Sequence, residues 1–240
     1  MSPAAALIAE PTFRLIGRGV YSLREARRLT GVPLRRLRRW TLGYRFESAT
    51  VRRHSPPVIE SDLTGELGLP ALDFADLLEV RFLNAFREYG VSMRAIRLAS
   101  QAARELLGVR RPFSSRTFST DGHVILARLA SGTGDDLLLD LVNRQYELAQ
   151  VVSQHLRGSV DFDDGDRPSR WWPLEGSRRV VIDPQRALGA PIIDAAGIPT
   201  RVIAQAFQAE GVADVVSALY GVDEASVVDA VRFELALAVA

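Results

Sequence analysis

The chain has no cysteine among its 240 residues. That excludes a disulfide framework, a zinc–thiolate centre and a catalytic thiol, and it agrees with a reducing compartment. Lysine is missing as well, since all 30 basic residues are arginine. Genome base composition or a use for guanidinium chemistry would each account for this, and the placing of the arginines says more than their total. No uninterrupted apolar run reaches the roughly 18 residues of a membrane span. The opening MSPAAALIAEP has no basic stretch ahead of its short apolar one. Neither an anchor nor a signal peptide is therefore expected, and a cytoplasmic location is.

The usual marks of catalysis are lacking too. There is no Gly-rich phosphate loop, no G-x-S-x-G and no paired catalytic constellation, so no enzyme activity and no cofactor are expected. His54, His123 and His155 share no metal-ligand spacing. Asp161, Asp163, Asp164 and Asp166 surround Gly165 in the manner of a calcium loop, but Trp172 stands at the twelfth position, where such a loop requires an acid. A polar turn, not a metal site, is expected there.

What the chain does have is charge gathered at one end. Between Arg14 and Arg53 there are twelve arginines against two acids, Glu25 and Glu47, in a chain whose net charge is only +1. Such asymmetry suggests a nucleic-acid-facing end joined to something different. Within YSLREARRLTGVPLRRLRRWT, Ser22 followed by Glu25 is a capping box, and Leu23, Ala26 and Leu29 share the face of a first helix. Thr30-Gly31-Val32 breaks the pattern, and Pro33 suits the first turn of a second helix. Leu34, Leu37 and Thr41 make the inward stripe of that helix. At about 100° per residue, Arg35, Arg36 and Arg39 then face outward, with Arg38 and Trp40 on the flanks. Two short helices around a glycine-containing turn form a helix-turn-helix, whose second helix enters the major groove. The segment from Gly43 to Pro57 alternates as a hairpin or wing does. Base reading is expected from some of Arg35, Arg36 and Arg39, and phosphate contacts from Arg24, Arg28, Arg52 and Arg53 beside Tyr44. A solvated surface or an acidic protein partner is the competing explanation of this cluster.

Beyond the wing the apolar period is helical. Phe74, Leu77, Leu78, Phe82 and Phe86 precede Gly90, and Ser92 caps a helix with Ile96, Ala99, Ala103, Leu106 and Leu107 that stops at Gly108. PFSSRTFSTDGHVILARL reads as two strands about Thr120-Asp121-Gly122. Residues 135–157 read as a helix, and SVDFDDGDRPSRWWPL as a second hairpin. Trp171 and Trp172, adjacent on a strand, would point to opposite faces, one into a core and the other into a core or outward as a partner anchor. VVIDPQRALGAPII is strand and turn, after which Pro199, Gly211, Gly221 and Asp223 punctuate three helices with an expected core of Ile203, Phe207, Val215, Leu219, Val227 and Val231. The fold expected is mainly α, with a winged helix-turn-helix over 1–68, central helices and β-hairpins over 69–175 that offer a place for dimerisation, and a C-terminal three-helix, helix-turn-helix-like bundle over 176–240.

Two stretches resemble known families. Residues 18–60, with YSLREARRLTGVPLRRLRRW, Tyr44 and the wing, resemble the DNA-binding head of MerR-type regulators. The lead Pro184, Gly189, Pro191, Ile198 and Pro199, followed by three helices, resembles the small bacterial antitoxin domain encoded beside toxins of the PIN-domain ribonuclease class. A chain joining both resembles the large VapB-type antitoxins of actinobacteria, of a mycobacterial kind. The resemblance implies a homodimer that binds the operator of its own operon and silences a VapC-like ribonuclease. It points to Ile198, Pro199 and Arg201 as candidates for the toxin contact. One departure stands out: family members usually carry Gly-Thr-Arg before the Ile-Pro, and Ala195, Ala196 and Gly197 stand here, leaving Arg201 as the local substitute for the missing arginine. The alternative is a MerR-type transcription regulator whose residues 70–175 sense a small effector.

Overall fold

The computed structural model describes residues 15–48, 51–118, 120, 125 and 158–239. The chain divides into two compact units, Ser22–Pro168 on the one hand and Met1–Tyr21 with Ser169–Ala240 on the other. About half of the described residues are helical, with several small sheets. No helix among the described residues is long and apolar enough to cross a membrane.

The first unit begins with α1 (Leu23–Thr30) and α2 (Leu34–Leu42). The capping box forms as its spacing requires: the Ser22 N–H donates to Glu25 Oε2 at 2.8 Å and the Glu25 N–H to Ser22 Oγ at 3.2 Å. Gly31, at φ 70°, ends α1 and donates its N–H to the Arg27 carbonyl, and Pro33 precedes α2 directly. Strands β1 (Tyr44–Ser48) and β2 (Val51–Ser55) pair antiparallel, Tyr44 opposite Ser55 and Glu47 opposite Arg52. A short α3 (Asp62–Leu67) leads to α4 (Phe74–Glu88) and α5 (Met93–Leu107). Helix α1 packs on both α2 and α4. Leu23, Ala26, Val32, Leu37, Trp40, Leu77, Leu78 and Phe82 are all buried, and each large one stabilises by about 1.5–3 kcal/mol when fully withdrawn from water. Leu106, expected on the apolar face of α5, is exposed.

The stretch expected as two strands about Thr120-Asp121-Gly122 departs from that reading. Arg116–Phe118 and Thr120 are helical, and Ser115 Oγ accepts the Phe118 N–H at 3.1 Å as a cap does. The aromatic core gives the reason. Phe113 and Phe118 are fully buried and meet edge-to-face at 4.9 Å, with Phe82 and Phe86 against them. Five positions apart on a strand, those rings would point to opposite faces; the turn at Phe113, followed by helix from Arg116, brings both to one cluster. Asp121 and Gly122, like the helix expected over 135–157, lie outside the described residues. The polar turn at 163–166 forms, with Asp163 Oδ1 accepting the N–H groups of Gly165 and Arg167.

In the second unit, β5 (Val180–Ile182) and β6 (Pro191–Ile193) pair antiparallel, after β3 (Val160–Phe162) of the first unit and β4 (Pro168–Trp171). Trp171 sits opposite Ile182. Neither tryptophan faces outward: Trp171 and Trp172 are both buried. Strand β4 ends at Trp171, so the alternation no longer governs Trp172, which joins Val181 and Ile192 in a small core with the Arg178 guanidinium 4.8 Å above its ring. Helices α6 (Thr200–Glu210), α7 (Ala213–Tyr220) and α8 (Glu224–Val239) pack on one another. Thr200 Oγ1 at the start of α6 donates to Glu234 of α8, and Ser177 Oγ to Asp229. The core they share is Ile203, Val216, Val227, Ala230, Phe233 and Leu237. Val215 and Leu219, expected inside, are exposed at 43% and 65%, because α7 is seated through Val216 and turns the Val212, Val215 and Leu219 side to solvent.

A buried carboxyl ties α4 to the aromatic cluster. Glu79, 2% exposed, accepts the Ser114 N–H at 2.9 Å. Burial pushes its carboxyl up to about 7, against the opposing pull of the Ser114 N–H and the Arg104 charge. A carboxyl whose folded value lies above its unfolded one holds its proton more tightly in the fold. Its contribution to stability is therefore present below about 4.5 and lost as the pH rises to about 7. Glu79→Gln, which keeps the acceptor and removes the charge, is expected to raise the Tm at pH 8 and leave it nearly unchanged at pH 5. Thermal unfolding at the two pH values checks this, and an equal gain at both contradicts it.

Candidate nucleic-acid interface

The orientation of α2 decides which arginines are presented. Leu37, Trp40 and Thr41 are buried, and Leu34 is only half-buried. Relative to the stripe expected from Leu34, Leu37 and Thr41, the helix is turned so that the indole goes inside. Two consequences follow on the outer side. Arg38, expected on a flank, stands exposed with Arg35 and Arg39 around Leu42. Arg36 moves to the flank, where its Nη1 donates to Asn84 Oδ1 of α4 at 2.7 Å and its guanidinium lies 5.9 Å from the Trp40 ring. The row facing solvent is thus Arg35, Arg38 and Arg39. The bulk of the indole, too large to leave wet on a flank, was the available signal.

The hairpin supports one end of this row. The Arg39 guanidinium lies 4.9 Å over the Tyr44 ring, a cation–π contact, and Tyr44 is 5.7 Å from Phe46. Gly43 makes the approach possible. It joins α2 to β1 at φ 71°, and a Cβ there would stand 2.6 Å from the Ser55 carbonyl oxygen. In the hairpin register Arg53 is opposite Phe46 and shares its face, and Arg52 is paired with Glu47. Arg53 is exposed, as are Arg24 and Arg28, which lie four apart on α1 and hence on one side of it.

The candidates at the other end of the chain lie together where β6 turns into α6. The Ile198 carbonyl accepts the Ile193 N–H at 2.8 Å, Pro199 immediately precedes α6, and both are half-buried; Arg201 is exposed in the first turn of α6. The lead Pro184 to Pro191 is fixed nearby. Gly189, at φ 84°, approaches so closely that a Cβ would meet Tyr21 Oη at 2.2 Å, and its carbonyl accepts the Tyr21 hydroxyl at 2.9 Å. Arg186 donates to both Asp183 and Asp194.

A capped helix and a second helix led by Pro33 around a glycine turn, with the second one's arginines in the open and an arginine-bearing hairpin after it, define a helix-turn-helix protein. Residues 19–100 match the family model described as "Putative DNA-binding HTH domain". Over 212 residues the chain is 30% identical to "Putative antitoxin VapB45" of Mycobacterium tuberculosis (strain ATCC 25618 / H37Rv), a match covering 85% of this chain and 88% of that protein. A solved chain described as "X-ray crystal structure of Rv2018 from Mycobacterium tuberculosis" superposes with a TM-score of 0.66 at 26% identity, covering 88% of this chain and 95% of that one. The chain belongs to the VapB family of antitoxins.

Gly43 is the position where the local geometry is least forgiving. Gly43→Ala is expected to cost about 3 kcal/mol or more, from a backbone region open essentially to glycine alone and from the collision with Ser55. Chemical denaturation measures it, and a loss below about 1 kcal/mol contradicts the role given to this residue.

Proposed function

We propose that this antitoxin binds the operator of its own operon through the first unit, as a homodimer on a two-fold site, and that it neutralises a VapC-like PIN-domain ribonuclease through the second. One observation carries the DNA half: Arg35, Arg38 and Arg39 stand together in the open on α2, the helix that such heads place in the major groove. They read base edges. Arg24, Arg28, Arg52 and Arg53 touch phosphate, Tyr44 holds Arg39 in place, and Arg36 acts from the flank. In the second unit, residues 200–240 hold two arginines against six acids, a poor surface for DNA and a fair one for a nucleic-acid-binding enzyme. Val215 and Leu219 on α7 and Val228 and Leu235 on α8 are exposed apolar side chains of the kind that a protein partner covers. The toxin is blocked sterically, and Arg201, beside Ile198 and Pro199, supplies the arginine offered to its acidic metal site.

Binding to the DNA upstream of the gene should depend steeply on salt. With about five phosphates neutralised per subunit, log K falls against log[salt] with a slope near −4 to −5 per subunit. Arg35→Ala, Arg38→Ala or Arg39→Ala should each cost about 1–3 kcal/mol and relax the sequence preference, whereas Arg53→Ala should weaken all sequences alike and lower the slope by about one. Gel shifts across a salt series measure both, and a salt-independent affinity or no shift at low salt would sink the DNA half.

The toxin half is tested by co-expressing the full chain with the ribonuclease encoded beside it. The expected outcome is co-purification and loss of RNA cleavage, with both abolished by Leu219→Asp with Leu235→Asp at unchanged Tm. A ribonuclease that stays active beside the full-length chain rules it out.

A further inference from the structure

Beside α2 lies a pocket of about 420 Å³, lined by Arg35, Arg36, Arg39 and Trp40 of that helix, by Arg87 near the end of α4 and by Arg97 of α5. Five guanidiniums converge there from three helices, and no carboxylate belongs to the wall among the described residues. Half-buried charges are ordinarily paired with an opposite one. Here the tethers are neutral. Arg36 donates to the Asn84 amide oxygen at 2.7 Å, Arg87 to the Val91 carbonyl, and Arg97 to the Pro57 carbonyl at 3.4 Å. A carboxylate enters only at one remove, where Asn84 Nδ2 donates to Glu88 at 2.7 Å.

Amide and carbonyl tethers fix the position of a guanidinium without cancelling its charge. The aromatic rings do the same, Tyr44 lying under Arg39 and Trp40 beside Arg36. Burial draws the Arg97 guanidinium below its ordinary value, with only the Tyr44 phenol pulling the other way. The volume falls in the range of sites for small organic ligands, roughly 300–1,000 Å³, and is far larger than one halide ion needs.

We propose that this pocket is a binding site for an oligophosphate, held by Arg87 and Arg97 together with the inner sides of Arg35, Arg36 and Arg39. The consequence for DNA rests on the operator-binding reading above. Phosphate-bearing ligands reach the site from two sources. Successive phosphates of a DNA strand that settle in it add to operator affinity; a free oligophosphate that fills it takes Arg35 and Arg39 away from DNA and so releases the operator. Arg87 and Arg97, on α4 and α5, distinguish this site from the outer row of α2.

The test uses the full chain, with inorganic tripolyphosphate as probe, at ionic strength held constant with sodium chloride. Titration calorimetry is expected to show saturable binding, weakened at least tenfold by Arg87→Met and by Arg97→Met. Arg87→Lys and Arg97→Lys, which keep the charge, are expected to recover most of it even if a methionine variant folds poorly. DNA gel shifts then separate the sources. A lower salt slope in the two methionine variants identifies the DNA strand as the occupant; unchanged DNA binding with lost sensitivity to tripolyphosphate identifies the free anion. No saturable binding by the wild type, or folded methionine variants that match it in both tripolyphosphate affinity and DNA salt slope, overturns the proposal. If tripolyphosphate binds saturably and DNA does not bind at all, the pocket stands and the operator reading falls; the reverse pattern removes the pocket alone.

Discussion

Burial of Trp40 is the constraint on which the DNA-facing half of this molecule depends. The indole is 3% exposed, and the carbonyl of the same residue accepts the N–H groups of both Val58 and Ile59, whose own side chains are buried. One residue thus closes the helix-turn-helix from within and fastens the return of the hairpin to it. Since a helix is rigid about its axis, fixing Trp40 inward also fixes Arg38 outward and Arg36 sideways. The proposed recognition surface is in this sense set by what the helix hides.

Much of this was legible in the residues. The capping box at Ser22 and Glu25, the breaks at Gly31, Gly43, Gly108, Gly211 and Gly221, and the helices ending at Glu88 and Leu107 stand where local spacing puts them. They are written in short-range chemistry, which a single sequence carries in full. The readings that changed concern long-range packing. The local composition around Phe113 and Phe118 suits a strand, and only the meeting with Phe82 and Phe86 makes a turn and helix preferable. Val215 and Leu219 had the right period for a core and no helix to cover them. Arg87 and Arg97 gave no sign of sharing a site with α2, because the separation of α4 and α5 from it in sequence conceals a pocket made by their packing.

The two units divide the chemistry of the chain. In the first, positive charge is left in the open on α1, α2 and the hairpin, while acids are drawn inward: Asp73 and Asp76 take Arg111, and Glu79 takes a backbone N–H. In the second, the arginines near the family's proline lead are spent on internal carboxylates, Arg186 on Asp183 and Asp194 and Arg179 on Asp229. What that unit leaves outside is instead apolar and acidic. The near-neutral total charge is the sum of two surfaces suited to different partners.

Arg39 is held over Tyr44 in the free protein. A guanidinium stacked by its face still has its N–H edge available, and the edge is what matches a guanine or a phosphate in two bonds at once. Because the stacking on Tyr44 restricts the side chain before contact, less of its freedom remains to be lost. In the operator complex proposed above, association at this arginine would be governed by how fast the two molecules meet, and discrimination among sequences by how long they stay together.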